Sequence, residues 1–275
     1  MTKITASDVA NLRKITGAGM MDCKQALMEN NGDVEKAIEH LRKKGQKIAA
    51  KREDRDAKEG CVLSGVTQDK SFGATIVLNC ETDFVAKNED FIAVAQSILN
   101  TALENKTKNK ETLLMLTING ETIEDIVTAQ MGKIGEKIEL SYLSVVEAQE
   151  VVAYVHPGNR LATLVGFNQT LSDEQMGKDV AMQVAAMNPV SIDKNDCPTD
   201  IIEKEIEIGK EQARQEGKPE AMLEKIALGK LNKFYKESTL LNQDFVKDSK
   251  QTISQYLSSV QKNLTVTAFD RFSLS

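Results

Sequence analysis

The strongest constraint in this 275-residue chain is an order of apolar periods that occurs twice. Cys61 to Val66 and Ala74 to Asn79 alternate and are rich in β-branched residues, so they read as a hairpin. From about Asn88 to Asn105 the period turns helical, with Phe91, Ile92, Val94, Ala95, Ile98 and Leu99 on the apolar side. The same order returns as Val151 to Val155, Leu161 to Gly166 and a helix from Asp173 to Met187. The offset is 89 residues from Val62 to Val151 and 87 from Thr75 to Ala162. Two strands are too few for independent stability, so each unit needs a third. Residues 138–146 and the terminal string "NLTVTAFDRFSL" (263–274) are the expected sources. The fold class expected is α+β, with a duplicated core of two antiparallel three-stranded sheet/helix subdomains.

Two helical regions flank or interrupt that core. Residues 1–45 predict a small bundle of three helices. In the first, Ser7 or Asp8 is the expected cap, Val9, Leu12 and Ile15 form the stripe, and Gly17 is the stop. The second runs from about Met20 to Asn30 with Met20, Cys23 and Leu27 on one face. The third carries Val34, Ile38 and Leu41 behind an Asp33 cap and ends at Gly45. Later, "DIIEKEIEIGKEQARQEG", capped by Thr199 or Asp200, and the segment after Pro219 form an antiparallel helical hairpin. Its seams are Ile202, Ile206, Gly209 and Ala213 against Leu223, Ala227, Leu231 and Phe234. Thr122 is the expected cap of a further helix through Gly132, followed by a strand over Lys137 to Val146. The resulting division is a head (1–52), a first core subdomain (53–147), a second one (148–189 and 241–275) and an inserted hairpin (190–240).

Composition narrows the function classes. The net charge is −6, Trp is absent and aromatics make up 4%, which disfavours a main task of neutralising phosphates or stacking bases. The basic run "KKGQKIAAKREDRDAKEG" carries seven Lys/Arg but also four Asp/Glu, and reads as a solvated linker. The four cysteines form no CxxC pair, the two histidines accompany no nucleophile elbow or HExxH, and "TGAG" (16–19) lacks a P-loop's GK[ST] ending. No metal, cofactor or covalent chemistry is expected. With no apolar run of about 20 residues and no h-region in MTKITASDVANL, the expected location is the cytoplasm, without membrane contact. A protein partner is the favoured class; a plain protein-binding adaptor and a thiol enzyme using Cys23 or Cys80 are the alternatives.

One string does not fit a plain scaffold. "CETDFVAKN" (80–88) places Phe84 among Glu81, Asp83, Lys87 and Asn88, where a strand hands over to a helix. Spacing alone favours a buried Phe84 and a helix-capping Asp83. Met20 and Met21, adjacent at a helix start, cannot both face one bundle core.

"LRKITGAGMMDCKQALMENNGDVEKAIEHLRKKG" (12–45) together with "NCETDFVAKN" (79–88) closely resembles bacterial elongation factor Ts, the guanine-nucleotide exchange factor family for elongation factor Tu. The resemblance implies binding to GDP-bound and nucleotide-free elongation factor Tu. It implies that Phe84 inserts between two helices of the GTPase domain and disturbs the elements holding its magnesium water shell. Thr82, Asp83 and Val85 would lie at the same contact, Ile134-Gly135 and His156 at further ones, and Leu12, Met20 and Met21 would face the partner from the head. The hairpin is associated in the family with dimerisation and partner contact. Some members carry an extra C-terminal helical module, whereas this sequence ends at Ser275; the resemblance then implies that affinity rests on head and core. The "HPGNR" loop departs from the glycine-rich form found in other members, which leaves the role of His156 open.

Overall fold

The computed structural model describes residues 4–274, so the first three residues of the expected head lie outside them. The duplicated core folds as two three-stranded antiparallel sheets. In the first, β1 (Glu59–Val66) pairs with β2 (Phe72–Cys80), and β2 pairs with β5 (Glu139–Glu147). In the second, β7 (Leu161–Phe167) lies between β6 (Glu150–Val155) and β10 (Val266–Ser273). The strands expected over 138–146 and 263–274 are the third strands of the two sheets.

Both sheets are covered on both faces, and the side-chain alternation of a strand shows how. Phe72, Ala74, Ile76 and Leu78 of β2 pack with Phe91, Ile98 and Leu99 of α5 (Glu89–Glu104). The intervening Val77 meets Ala162 of β7. Likewise Val165 and Phe167 pack with Val180 and Val184 of α8 (Glu174–Met187), while Leu164 turns to Val146 and Val151. The layers therefore run helix, sheet, sheet, helix. The sheets approach closely enough that a Cβ on Gly73 would fall 2.8 Å from Val151 Cγ1, and one on Gly166 would fall 2.8 Å from Ala148 Cβ. Tyr142 on β5 donates to Asp270 on β10 (2.6 Å) across the same junction.

The head consists of α1 (Ala6–Thr16), α2 (Met20–Glu29) and α3 (Val34–Lys51) around Val9, Leu12, Cys23, Ala26, Leu27 and Ala37. Four expectations are corrected. Thr5, not Ser7 or Asp8, caps α1, and Asp8 returns the bond as the third helical residue of a capping box. Ile15 is 64% exposed, because α1 closes its seam at Leu12. Met20 is exposed alongside Met21, since the core of α2 begins at Cys23. Gly45 does not end α3, which continues to Lys51 through the expected linker. Instead Gly45 crosses Gly132 on α7 (Ile123–Ile134), where a Cβ on Gly132 would lie 3.0 Å from Gly45 Cα.

Thr122 caps α7 as expected, but the helix runs two residues beyond Gly132 and ends on the left-handed Gly135 (φ 81°). Pieces absent from the sequence reading include α6 (Lys110–Met115) and a small hairpin of β3 (Thr117–Ile118) and β4 (Glu121–Thr122). That hairpin turns on Asn119-Gly120, both at positive φ, the pair favoured in a tight two-residue turn. A second small hairpin, β8 (Asp244–Phe245) and β9 (Asp248–Thr252), leads into α11 (Ile253–Val260), whose Ile253 and Leu257 enter the second core. The inserted hairpin is α9 (Thr199–Gln215) and α10 (Glu220–Ser238), with Gly209 against Ala227. Its caps are Pro198 and Pro219; neither Thr199 nor Asp200 lies in the cap position.

Candidate functional site

Strand β2 ends at Cys80, and the chain turns through Glu81 and Thr82 into α4 (Asp83–Ala86), a single helical turn. Thr82 rather than Asp83 is the cap: its hydroxyl accepts from the Val85 N–H (3.5 Å). Asp83 occupies the first helical position and pairs with Lys87 at 2.7 Å. That hydrogen bond holds the Asp83 carboxyl below its ordinary pKa. Asn88 accepts from the Asp90 and Phe91 amides and starts α5. Ala86 and Phe91 anchor this segment in the first core.

Phe84 is left on the outside of that anchored turn, 83% exposed, the most exposed of the large apolar side chains among the described residues. Helical geometry explains it. With Ala86 turned to the core and a cap at Thr82, the second residue of a one-turn helix faces solvent. Beside it, Val85, Asn88, Phe91, Gln130, Lys133 and Ile134 line a hollow of about 280 Å³. The expected residues Thr82, Asp83, Phe84, Val85 and Ile134 are thus brought together by α4 and the end of α7. Gly135 follows, with open space where a side chain would stand.

The head reaches the same side. A Cβ on Gly17, in the turn before α2, would lie 3.4 Å from Lys133 Cδ, so the turn rests on the end of α7, three residues ahead of Met20 and Met21. Met20 and Met21 are 44% and 74% exposed. Leu12 is a correction: it is fully buried in the bundle and presents no surface, whereas Ile15 does. His156 is exposed on the β6–β7 turn, with Nδ1 2.8 Å from the Tyr154 hydroxyl. Its turn is tied to β1 by Val62 N–H donating to the Asn159 carbonyl (2.7 Å) and by an Arg160–Glu59 ion pair. Glu59 is the partner of Cys80 in the ladder, so the His156 turn flanks the strand end from which the Phe84 loop departs.

The grip on this loop, made by Glu136, Glu81, Lys137 and Arg52, escaped the sequence reading. Glu136 Oε2 accepts from the Glu81 and Thr82 amides (3.0 Å each), and Oε1 accepts from the Thr82 hydroxyl (2.7 Å). Glu81 accepts from the Lys137 amide and from Arg52 at the C-cap of α3 (2.6 Å each). The Lys137 amide bond, with Arg52 adding to it, lowers the Glu81 pKa against the effect of burial. No local sequence signal marks Glu136; the fold brings it there through register, since Asn79 pairs with Glu139 and continuing that ladder places Thr82 opposite Glu136. The four cysteines are free and buried, and burial pushes the Cys61 and Cys80 thiols up to about 12. Among the described residues no group of His, Cys, Asp and Glu is placed to hold a metal, and no helix is long and apolar enough to cross a membrane.

A family model described as elongation factor TS matches residues 81–275. The chain is 53% identical over 274 residues to elongation factor Ts of Porphyromonas gingivalis, covering 99% of this chain and 98% of that one. It is 53% identical over 270 residues to elongation factor Ts of Amoebophilus asiaticus, covering 98% of each chain. With elongation factor Ts of Flavobacterium psychrophilum it shares 50% identity over 275 residues, covering the whole of both chains.

Proposed function

Since the chain belongs to the elongation factor Ts family, we propose that it promotes release of GDP from elongation factor Tu by wedging Phe84 into the GTPase domain. The observation that carries this reading is a phenylalanine 83% exposed on a short, well-anchored turn. An aromatic ring enters a pocket with only two torsions to fix, and its burial contributes about 2 to 3 kcal/mol by area. That energy drives part of a distortion at the partner's magnesium site, weakening the contacts that retain the nucleotide. Asp83, Thr82, Val85 and Ile134-Gly135 form the rim of this contact. Met20, Met21 and Ile15 supply a second apolar patch from the head, and His156 a polar one from the β6–β7 turn. The hairpin, with Ile208, Met222 and Leu228 exposed, is a further contact, with the partner or with a second copy.

The coupling is reciprocal: whatever factor this protein takes from nucleotide affinity, nucleotide takes from affinity for this protein. No covalent bond changes. Exchange is tested by release of a fluorescent GDP analogue from elongation factor Tu at fixed magnesium. Substoichiometric chain should accelerate release strongly, and Phe84→Ala should cut the acceleration by at least about tenfold. Wild-type acceleration from Phe84→Ala would end the wedge reading. Absence of acceleration by the wild-type chain would leave an adaptor role instead.

A further inference from the structure

The exposed wedge raises a physical problem: a single helical turn has little stability of its own, because nucleating a helix fixes several torsions for one hydrogen bond. Something outside α4 must therefore define where Phe84 points. The loop before it is gripped by two carboxylates that cross over between segments. Glu136, delivered by the left-handed Gly135 at the end of α7, takes both loop amides and the Thr82 hydroxyl. Glu81 reaches back to the amide of Lys137, next to Glu136, and to Arg52 at the end of α3. Both carboxylates are partly buried, and every bond is to a carboxylate oxygen, the stronger class of hydrogen bond.

The polarity of the grip matters. Because Glu136 accepts the Thr82 hydroxyl proton, the lone pairs of that oxygen are turned to the Val85 N–H, so one carboxylate sets the cap that starts α4. We propose that Glu136 is a positioning residue for nucleotide exchange, holding the Thr82–Val85 turn so that Phe84 meets the partner at a fixed angle, with the Glu81–Arg52 arm tying that turn to the three-helix head. This rests on the wedge reading of Phe84. Removing the grip leaves the ring exposed and able to dock but no longer aimed, which lowers the rate within the complex more than the strength of complex formation.

The test uses the full chain and elongation factor Tu loaded with a fluorescent GDP analogue, with release followed across a range of factor concentrations. Glu136→Ala should lower the saturating release rate about tenfold and change the half-saturating concentration by less than about threefold. Glu136→Gln keeps an oxygen for the two amides but cannot take the Thr82 proton, and should fall between Glu136→Ala and wild type. A Glu136→Ala, Phe84→Ala double variant should be no slower than Phe84→Ala, because Glu136 acts only through the ring. A Glu136→Ala rate equal to wild type, or a double variant slower by the full additional factor, would overturn the assignment.

The grip itself is read without the partner. In the free chain, Glu136→Ala should speed hydrogen exchange of the Glu81 and Thr82 amides by at least about tenfold and leave the α5 amides unchanged. Unchanged exchange at those two amides would overturn the proposal whatever the kinetics. If Phe84→Ala did not slow release while the amides still loosened, the wedge reading would fall and take the role of Glu136 in exchange with it, leaving only the grip on the turn. Should Glu136→Ala not fold, Glu81→Ala, which removes the acceptor of the second arm only, is read by the same two assays: intermediate slowing with faster Lys137 exchange supports the grip, and wild-type behaviour in both refutes it.

Discussion

Gly132→Ala offers a direct test of how the head is fastened to the core. Substituting alanine for glycine inside a helix gains about 0.5 to 1 kcal/mol when nothing else changes. At Gly132 the new Cβ would lie 3.0 Å from Gly45 Cα, a backbone atom of α3 that cannot swing aside as a side chain would. Ordinary contact requires a few tenths of an ångström more, so α3 and α7 must part along their crossing. Overpacking of this kind costs about 1 to 3 kcal/mol, which outweighs the propensity gain and leaves a net loss of about 0.5 to 2 kcal/mol. The separation also strains the Arg42–Asp125 pair (2.6 Å) that bridges the same two helices. Gly229 on α10 is the internal control, since nothing lies within 4 Å of its added Cβ and only the propensity gain remains. In urea or thermal unfolding, Gly132→Ala should fall below wild type and Gly229→Ala should rise above it, each kcal/mol moving the midpoint by about 2 °C for a chain of this size. If Gly132→Ala were as stabilising as Gly229→Ala, the tight crossing of α3 on α7 would be refuted.

Two further outcomes follow from titratable groups. The Glu81 pKa is lowered by the Lys137 amide and Arg52, so its contribution is complete above the unfolded carboxylate value of about 4.3 and is lost as pH falls through the folded value. The difference in urea midpoint between wild type and Glu81→Gln should therefore be full at about pH 6 and shrink below about pH 4; a difference that grows on acidification would contradict this. Cys61 and Cys80, buried and with thiols raised to about 12, should resist iodoacetamide at about pH 8 in the folded chain and react after denaturation; rapid native labelling of Cys80 would revive a thiol chemistry.

What could be read in the sequence was what local chemistry alone determines. Gly17 ends α1, Asp33 caps α3, Thr122 caps α7, and the Gly209 and Ala227 seams meet as their spacing implies. Where a residue had two acceptable uses, tertiary contact decided. Gly45 reads as a helix stop but serves as a crossing point, and Phe84 reads as core until Ala86 and Phe91 fill the core beneath it. The run Ala74 to Leu78 carries apolar residues on both faces because a second sheet covers the face that solvent would otherwise wet, a layer no single strand reveals. The Asn119-Gly120 turn carries its own signal, but the strands flanking it are only two residues long and show no alternation to go with it. Glu136 was not legible at all, because its partners lie more than fifty residues away and meet it only through strand register.

The neck of the α9–α10 hairpin has its own consequence. The chain leaves the core at Val190 and returns at Leu240, with Val190 N–H bonded to the Ser238 carbonyl (2.8 Å), Leu240 N–H to Ser191 (3.0 Å) and Ser191 facing Thr239 in a bridge. The outgoing and incoming segments are thus buttoned together at the foot of the helices, where Asn242–Asp193 and Lys236–Asp244 add to the fastening, and beyond that foot α9 and α10 pack chiefly on each other. Whole turns added to or removed from both helices would alter the reach of the arm by about 5.4 Å each without shifting the core that bears it. The chain has, in effect, an adjustable boom mounted on a fixed deck.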